Sequence, residues 1–510
     1  MKMLQVGKTA CLLVVLCVAA ALASPAQTFT ALKKFDGPNG WNPEALVQGL
    51  SGNLYGTTHW GGPFYDEGHS VGWGTVFAAE PTGGFKTVYT FCSREACADG
   101  VNPSNLILAA NGNFYGTTFG GGVSSTLASG TVFELTPSGT LTTLYSFCQD
   151  WSSPKCLDGS YPGAGLVQGV NGSFYGTTTS GGTGSGGGGI LFAITPAGAI
   201  STLYSFCSLA NCADGSIPSA PLVLASNGDF YGTTEEGGAN TSTFCENGCG
   251  TIFKITPAGA MTTVYNFCSK ERCADGFNPS GATMVEGPDG ALYGTVESSG
   301  GSGEVGLIFR LTLSGKFSVL YTFCALTNCA DGAYPQGGLT LGSDGNFYGT
   351  TGGGGANGGG SVFEITPSGS LTTLYSFCAV NCPEGGDVTA PLVQSTSGTF
   401  FGTASAGGDL AACDNAGQKG CGTVFSLGTG LGPFVESNPA FGAVGKEVNI
   451  LGNNLTGTIS VTFNGTAASF TVISDTYLKA QVPAGATTGT IQVTTPGGTL
   501  NSNVAFQVLP

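Results

Sequence analysis

The stretch LVQGVNGSFYGTTTSGGTGSGGGGILFAITPAGAISTLYSF, residues 166–206, contains the pattern that decides the fold. An apolar segment at Leu166-Val167 precedes Asn171-Gly172, a pair that tight β-hairpins prefer, and residues 174–178 then return. After a glycine-rich loop, residues 190–195 and 201–206 flank a proline-glycine turn. We therefore expect four antiparallel strands, which we call a, b, c and d in chain order.

This four-strand pattern occurs seven times along the chain, at intervals of 53 to 62 residues. Its Tyr-Gly-Thr core begins at Tyr55, Tyr115, Tyr175, Tyr231, Tyr293 and Tyr348, and as Phe-Gly-Thr at Phe401. A period of that length is typical of propellers and solenoids. Because a lone four-stranded sheet exposes two apolar faces and two edges, we expect the seven sheets to stack on one another.

The seventh copy is divided between the two ends of the chain. Its strand a lies near Leu392, its strand b at 400–403 and its strand c at 423–427, but no strand d follows. Residues 29–35 match strand d and precede Asp36-Gly37, as in the other copies. An open solenoid would gain nothing from this offset. The predicted fold is therefore all-β: a seven-bladed β-propeller over residues 28–427, closed by the N-terminal strand, with a small β-sandwich after it.

The N-terminus and the charge balance predict export from a bacterial cell. Lys2 and Lys8 precede an apolar run at 10–23 that ends in small residues, so we expect a signal peptide at 1–23. Loss of these two lysines takes the net charge from −16 to −18, which disfavours nucleic-acid binding. We expect a monomer without a membrane span, secreted or at the cell surface, in the periplasm or outside the cell.

Sixteen of the cysteines follow the predicted signal peptide and fall as eight close pairs. An even number in an exported protein predicts eight local disulfides. The alternative is zinc held by four thiolates, which is disfavoured because two pairs from separate blades would have to meet. The predicted pairs are Cys92 with Cys97, Cys148 with Cys156, Cys207 with Cys212, Cys245 with Cys249, Cys268 with Cys273, Cys324 with Cys329, Cys378 with Cys382, and Cys413 with Cys421.

The strand order also sorts the connecting loops between two faces. The b–c and d–a loops share one face, which we call the variable-loop face, and the tight a–b and c–d turns lie on the opposite one. Variable loops on a rigid scaffold commonly carry function. Aromatic and histidine side chains in the loops of the first three copies are the candidate ligand-binding residues: Trp41, His59, Trp60, Tyr65, His69, Trp73 and Trp151.

These rings suit a glycan or a protein partner, because amphipathic aromatic surfaces stack on sugars and form interface hot spots. Packing beneath the long loops is the alternative interpretation and has equal weight. An aspartate after strand d recurs in each copy, and we expect it to cap its own turn. A ring of carboxylates that gathers cations such as Ca²⁺ is the less favoured alternative, and no other cofactor is expected. The aspartates are Asp36, Asp99, Asp158, Asp214, Asp275, Asp331 and Asp387.

Two common catalytic motifs are missing from the sequence. It contains no His-Glu-x-x-His and no phosphate-binding glycine-rich loop before a helix. The acid pairs Asp66-Glu67 and Glu235-Glu236 are candidates only because they lie in loops. The sequence favours an exported, non-enzymatic binding or surface-interaction protein. An extracellular carbohydrate-active hydrolase or lyase is the alternative, and a purely structural envelope protein is a third.

Two resemblances agree with this organisation. The Tyr-Gly-Thr-Thr, Gly-Thr-Val-Phe, Thr-Pro-x-Gly and Leu-Tyr-Ser-Phe segments resemble the Gloeo/Verruco ("GloVer") tandem repeat of exported bacterial proteins, which implies a secreted or surface protein. After a linker at 428–432, residues 433–510 resemble an IPT/TIG domain, through Asn438-Pro439, Gly452-Asn453-Asn454 and Thr495-Pro496-Gly497. That resemblance implies an immunoglobulin-like sandwich acting as a spacer or contact module. The alternation of apolar and polar residues there independently suggests a β-sandwich.

Overall fold

The computed structural model describes residues 27–63, 72–122, 129–149, 156–281, 283–299, 305–378, 382–415 and 418–510. The predicted signal peptide at 1–23 lies outside them. None of the helices in these ranges is long and apolar enough to cross a membrane. The described helices are single 3₁₀ turns at Glu95–Cys97, Ala210–Cys212, Glu271–Cys273 and Thr327–Cys329.

The repeats consist of short strands. In chain order they are β1 (Thr28–Lys34), β2 (Trp41–Gln48), β3 (Leu54–Trp60), β4 (Thr75–Ala79), β5 (Phe85–Thr90), β6 (Val101–Pro103), β7 (Ile107–Leu108), β8 (Phe114–Gly120), β9 (Thr131–Leu135), β10 (Leu141–Ser146), β11 (Val167–Gln168), β12 (Phe174–Thr178), β13 (Ile190–Ile194), β14 (Ile200–Ser205), β15 (Val223–Leu224), β16 (Phe230–Thr234), β17 (Thr251–Ile255), β18 (Met261–Asn266), β19 (Val285–Glu286), β20 (Ala291–Val296), β21 (Leu307–Thr312), β22 (Phe317–Thr322), β23 (Leu339–Leu341), β24 (Phe347–Thr351), β25 (Gly358–Ile365), β26 (Leu371–Cys378), β27 (Val393–Gln394), β28 (Phe400–Ala404), β29 (Asp414–Asn415), β30 (Gln418–Lys419) and β31 (Thr423–Gly428).

Apart from β29 and β30, which pair with each other, these strands form seven antiparallel sheets, one for each repeat. Six sheets use strands that are consecutive in the chain, in the order a-b-c-d, and strand a of the second sheet is split into β6 and β7. The remaining sheet has the order β1-β31-β28-β27, so the N-terminal strand occupies the strand d position. Thr28 of β1 lies opposite Gly428 of β31, and Lys34 lies opposite Thr423.

A phenylalanine contact joins each sheet to the next. The last phenylalanine of each d segment packs on the phenylalanine of strand c in the following sheet, for example Phe206 on Phe253 with ring centroids 5.0 Å apart. Phe35, which follows β1, makes the equivalent contact with Phe77 of the first repeat at 5.2 Å. The Thr403 hydroxyl also donates to the Glu44 carbonyl at 3.0 Å, which links the seventh repeat to the first.

The glycine of each Tyr-Gly-Thr core has a packing explanation. Gly176 lies opposite Phe192 on the neighbouring strand, and the phenylalanine ring covers the glycine. A Cβ atom at Gly176 would lie 2.7 Å from the Cζ atom of Phe192, closer than van der Waals contact permits. The same close approach recurs in all seven repeats, so the motif marks where the strand c ring packs.

The aspartate after strand d accepts hydrogen bonds within its own d–a loop. Asp275 is fully buried and accepts from the Tyr265 hydroxyl at 2.6 Å and from the Ser269 amide at 2.8 Å. The Ser269 hydroxyl and the Lys270 amide also donate to it. A tyrosine–aspartate bond of this kind occurs at Tyr89–Asp99, Tyr145–Asp158, Tyr204–Asp214, Tyr265–Asp275 and Tyr321–Asp331. These contacts support the turn-capping interpretation.

We expect the tyrosine–aspartate pairs to make the protein lose stability in alkaline solution. Burial, with the hydrogen bond to Asp99, raises the pKa of Tyr89 from 10.0 to about 12, and the pKa of Tyr265 is raised for the same reasons. The folded state therefore holds protons that the unfolded state releases above its tyrosine pKa. The contribution of these tyrosines to the free energy of unfolding should be constant below about pH 10 and should be lost as the pH rises towards about 12.

Urea unfolding at about pH 8 and about pH 11 measures this effect. The midpoint should be lower at the higher pH, and Tyr265→Phe should make the difference smaller. Equal midpoints at both pH values would contradict the argument.

The C-terminal segment forms a separate two-sheet sandwich. Its strands are β32 (Glu436–Asn438), β33 (Phe441–Ala443), β34 (Glu447–Leu451), β35 (Ser460–Phe463), β36 (Thr466–Ala468), β37 (Phe470–Ser474), β38 (Tyr477–Gln481), β39 (Ile491–Thr495), β40 (Gly498–Asn501) and β41 (Gln507–Leu509). One sheet has the order β32-β34-β38-β37, the other β36-β35-β39-β40, and β33 pairs in parallel with β41. Val435, Ile450, Leu478 and Val493 lie in the core of the sandwich.

The sandwich docks on the a–b turns of the repeats, on the face opposite the variable loops. The Asn438 and Asn449 amides donate to the carbonyls of Leu108 and Ala110, each at 2.9 Å. The Thr476 hydroxyl donates to the Leu50 carbonyl, also at 2.9 Å. Leu451 of the sandwich is buried in the same apolar cluster as residues of the first two repeats. The variable-loop face is therefore left clear of the sandwich.

Candidate functional site

A cavity of about 370 Å³ is lined by residues from all seven repeats. Two positions of the repeat supply many of its side chains. The first position lies at the entry to strand a, as in Glu44, Ser219 and Ser280. The second lies four residues after the tyrosine of the Tyr-Gly-Thr core and is occupied by His59, Phe119, Glu235 and Glu297 in four of the repeats. The constant scaffold thus presents a different side chain in each repeat.

A left-handed backbone residue sets the entry to strand a. Ile217 and Asn278 have φ angles of 57° and 48°, and both precede a proline. Their amides donate to the carbonyls of Gly188 and Cys249 in the loop before strand c, each at 2.9 Å. Seven repeats have a non-glycine residue with positive φ at this position. This fixed turn holds the residue that follows the proline at the cavity wall.

Glu297 is the best anchored acid in the cavity. It accepts hydrogen bonds from the Gln336 amide at 2.6 Å and from the Ser280 hydroxyl at 3.2 Å, so both carboxylate oxygens are engaged. Glu297 is therefore an acceptor held in a fixed orientation.

Glu235 lies close enough to Glu297 for the two charges to interact. Burial raises its pKa, the hydrogen bond from Ser219 opposes that change, and the carboxylates of Glu236 and Glu297 raise the pKa further. Glu235 therefore holds its proton more readily than an exposed glutamate does. The cavity thus combines an anchored carboxylate with a neighbouring carboxyl that resists ionisation.

Glu44 and His59 face each other across the first repeat, with Glu44 Oε1 3.8 Å from His59 Nδ1. Burial raises the pKa of Glu44 to about 7 and lowers the pKa of His59 to about 4. At pH values between these two pKa values, both groups are therefore expected to be uncharged. Each side chain still has about a third of its surface open to the cavity, so water screens any charge that forms on it.

An aromatic pair lies at the same cavity. Phe119 is 40% exposed and lines the wall, and its ring centroid is 4.9 Å from that of Tyr161. An exposed ring supported by a second ring offers a flat apolar surface beside hydrogen-bonding groups.

The sequence-predicted aromatic residues lie in several environments. Trp41 begins β2 and Trp60 ends β3, so neither lies in a loop as the sequence suggested. Trp41 is buried among Phe35, Leu54 and Phe77, and Trp60 packs against that cluster. The environments of Trp41 and Trp60 favour the packing interpretation. Trp73 is half-buried. Tyr65, His69 and Trp151 lie outside the described residues.

All sixteen cysteines that follow the predicted signal peptide form the disulfides that the sequence predicted. Cys156 is half-buried and bonds to Cys148, and Cys382 is buried and bonds to Cys378. The two bonded residues are four to eight positions apart in every pair, so each disulfide closes a short local loop. The other six bonds join Cys92 to Cys97, Cys207 to Cys212, Cys245 to Cys249, Cys268 to Cys273, Cys324 to Cys329, and Cys413 to Cys421.

The remaining aspartates also have structural partners. Asp36 bonds to Asn39 at the surface, and Asp387 accepts from the Ser405 hydroxyl. Within the described ranges, cysteines alone supply a group of three or more metal-ligating side chains close enough to share an ion. The aspartates therefore do not converge on a common point there.

Glu44, Phe119 and Glu297 were not predicted from the sequence, and Glu235 was a candidate only together with its neighbour Glu236. A signal for three of these four residues was present. In the aligned repeats, the residue four positions after the tyrosine of the Tyr-Gly-Thr core changes from copy to copy beside an almost constant core. When one position varies on a constant scaffold, its side chains are not needed for the fold and can serve binding or catalysis.

The C-terminal sandwich lies at the end of the cavity that is opposite the variable-loop face. Asn105, Pro221, Thr283 and Pro391 line both the first cavity and a second one of about 420 Å³. Residues 436–441 of the sandwich line the second cavity. Access for a ligand is therefore from the variable-loop face.

Comparison with known families matches most of the chain. A model described as the Gloeobacter/Verrucomicrobia repeat matches residues 20–245 and 240–469. An IPT/TIG domain model matches residues 434–508. No curated protein sequence matches the chain.

Solved structures give distant likenesses. An α-L-arabinanase from Penicillium chrysogenum, complexed with arabinobiose, is 10% identical with a TM-score of 0.44, covering 79% of this chain and 99% of the other. A luciferin-regenerating enzyme is 11% identical with a TM-score of 0.38, covering 80% and 98%. At such scores the likenesses carry no argument about binding or catalysis.

Proposed function

Because this chain belongs to the Gloeobacter/Verrucomicrobia repeat family and ends in an IPT/TIG domain, we propose that it is an exported binding protein without enzymatic activity. Its ligand is a glycan, and its site is the cavity at the variable-loop face. The single observation that carries this proposal is the combination of Glu235, Glu297 and Phe119 around one cavity.

The chemistry of the cavity suits a sugar. The Glu297 carboxylate, which already accepts hydrogen bonds from Ser280 and Gln336, can accept further ones from sugar hydroxyls. The exposed face of Phe119 suits the apolar face of a pyranose ring. A volume of about 370 Å³ lies at the small end of ligand sites, which favours the end of a chain over its middle.

The architecture that we propose for this site is a closed seven-bladed propeller. The pairing of β1 with β31 and the contact between Phe35 and Phe77 support closure. In that arrangement the cavity lies on the propeller axis, and the IPT/TIG domain covers its far end. The disulfides support export, and we further propose that the protein acts as a monomer.

Glu297→Gln is expected to weaken glycan binding about 10-fold to 100-fold, because a hydrogen bond to a charged group contributes about 1.5–3 kcal/mol. A glycan array with residues 24–510 would identify the ligand, and calorimetry would then compare variants. Glu80→Gln is the matched control, because Glu80 is exposed between β4 and β5, away from the cavity. Equal affinities for Glu297→Gln and the wild type would contradict the proposed site.

A glycoside hydrolase is the second candidate, and one observation favours it. Glu235, with its raised pKa, lies near the anchored carboxylate of Glu297, and glycosidases pair a carboxylic acid with a carboxylate. Incubating the bound glycan with the protein and analysing the products separates the two functions. Binding without new reducing ends is expected. Release of sugar that Glu235→Gln abolishes would establish the hydrolase instead.

A further inference from the structure

Two disulfides lie side by side in the fourth repeat. Cys245–Cys249 belongs to the b–c loop between β16 and β17, and Cys268–Cys273 belongs to the loop after β18. Their four Sγ atoms all lie within 4.8 Å of one another, and three of the four residues are buried. The fold therefore gathers four potential thiolate ligands in one place, away from the cavity described above.

This arrangement removes the objection that the sequence raised against zinc. The expectation was that cysteine pairs would stay apart on separate blades, but here the two pairs come from two loops of the same repeat. A tetrahedral zinc site has Zn–S distances of about 2.3 Å, which places its sulfur atoms about 3.8 Å apart. The four Sγ atoms already lie within 4.8 Å of one another, and after reduction the two sulfur atoms of each pair would have to move apart to that separation.

A polar side chain also lies within reach of the sulfur atoms. The Ser242 hydroxyl oxygen is 3.1 Å from Cys245 Sγ and 3.4 Å from Cys273 Sγ. Hydrogen bonds from such neighbours orient thiolate ligands and disperse their charge. The loops closed by the two disulfides carry Lys270 and Arg272 but also Glu246 and Glu271, so their formal charges balance.

We propose that the reduced chain binds one zinc ion through Cys245, Cys249, Cys268 and Cys273. A dithiol reductant converts each disulfide into two thiols, supplies two electrons and two protons to each, and is itself oxidised to a disulfide. Zinc then replaces the four thiol protons, which pass to the solvent. Zinc binding and the two disulfides exclude each other, because both use the same four sulfur atoms. A zinc-bound thiolate also reacts slowly with oxidants and alkylating agents.

The other repeats provide matched controls. Cys413–Cys421 lies between β28 and β31 in the seventh repeat, and Cys324–Cys329 follows β22 in the fifth. Neither pair belongs to a four-cysteine group within the described part of the chain. Each has two sulfur atoms available, whereas the fourth repeat offers four.

The test uses residues 24–510, reduced with dithiothreitol under nitrogen, freed of reductant by gel filtration, and then mixed with zinc. Alkylation followed by peptide mass spectrometry measures the protection of each cysteine. We expect one tightly held zinc ion per chain, with zinc-dependent protection of residues 245, 249, 268 and 273. Cysteines 324, 329, 413 and 421 should react equally with and without zinc. Cobalt in place of zinc should give the visible absorption of a tetrahedral thiolate complex.

Variants separate this site from adventitious binding. Cys245→Ser with Cys273→Ser should abolish the cobalt spectrum, whereas Cys324→Ser with Cys329→Ser should leave it unchanged. Equal alkylation of all cysteines in the presence of zinc would overturn the proposal. A cobalt spectrum that survives the first double variant would overturn it as well. So would a reduced chain that unfolds and retains no metal.

Discussion

A chain that lacks residues 27–35 is expected to lose its cooperative unfolding transition. The deletion removes β1, so β31 becomes an unpaired edge in the middle of the fold. It also removes Phe29 and Phe35, which pack in the apolar clusters on either side of the seventh sheet. Thermal unfolding followed by circular dichroism measures the effect. A transition as sharp and as high as that of the full chain would contradict the role given to β1.

Point substitutions on β1 test the same contact without deletion. Phe29 stacks on Tyr375 with ring centroids 3.9 Å apart and also contacts Phe425. Phe29→Ala should lower the free energy of unfolding by about 3 kcal/mol, as large-to-small changes in packed cores do. Thr30→Ala is the control, because Thr30 is exposed on the same strand and the expected change is below about 0.5 kcal/mol.

Asp275→Ala is expected to lower the free energy of unfolding by about 3–5 kcal/mol, because several donors in a buried loop lose their shared acceptor and each unsatisfied buried donor costs about 1–3 kcal/mol. The substitution leaves the Tyr265 hydroxyl and the amides of Ser269 and Lys270 without their acceptor in a buried loop. Asp36→Ala is the matched control. Asp36 occupies the equivalent position after β1, but it is exposed and accepts a bond from the Asn39 amide.

Urea titration of both aspartate variants at neutral pH measures the difference between them. We expect a clear shift of the midpoint for Asp275→Ala and a small one for Asp36→Ala. If both variants unfolded at the wild-type midpoint, the buried hydrogen bonds would not have the role assigned to them. Tyr265→Phe should lie between the two, because it removes one of the donors and leaves the carboxylate in place.

The strands of the repeat could be predicted because their signals are local. Alternation in β13 and β14 and the turns between strands depend on a few neighbouring residues, and the observed bounds differ from the expected ones by one or two residues. The place of residues 29–35 could also be predicted, since only one sheet lacked a strand d. Strand a was predicted less well. At Val167–Gln168 it has two residues, because the preceding Gly-Ala-Gly segment turns along the cavity wall.

The cavity could not be predicted because its residues are far apart in the chain. Glu235 interacts with Glu297, which belongs to the next repeat, and no local pattern links them. The ligand-binding candidates were instead residue types that are rare in this chain, and the rarity of a residue type does not indicate where its side chain lies in the fold. Trp41 is rare, yet its large apolar ring is buried between the first and seventh repeats, where it contributes to packing. The four cysteines of the fourth repeat were identified as two pairs, but their meeting depends on how two loops cross.

An engineered disulfide between β1 and β31 tests the closed ring most directly. Thr30 lies opposite Ser426 in the observed register, although most of the chain separates them in sequence. With Thr30→Cys and Ser426→Cys combined, peptide mapping without reductant should find these two positions joined within one chain. An engineered thiol at position 30 that stays free, or that links only to other molecules, would contradict closure of the ring by the N-terminal strand.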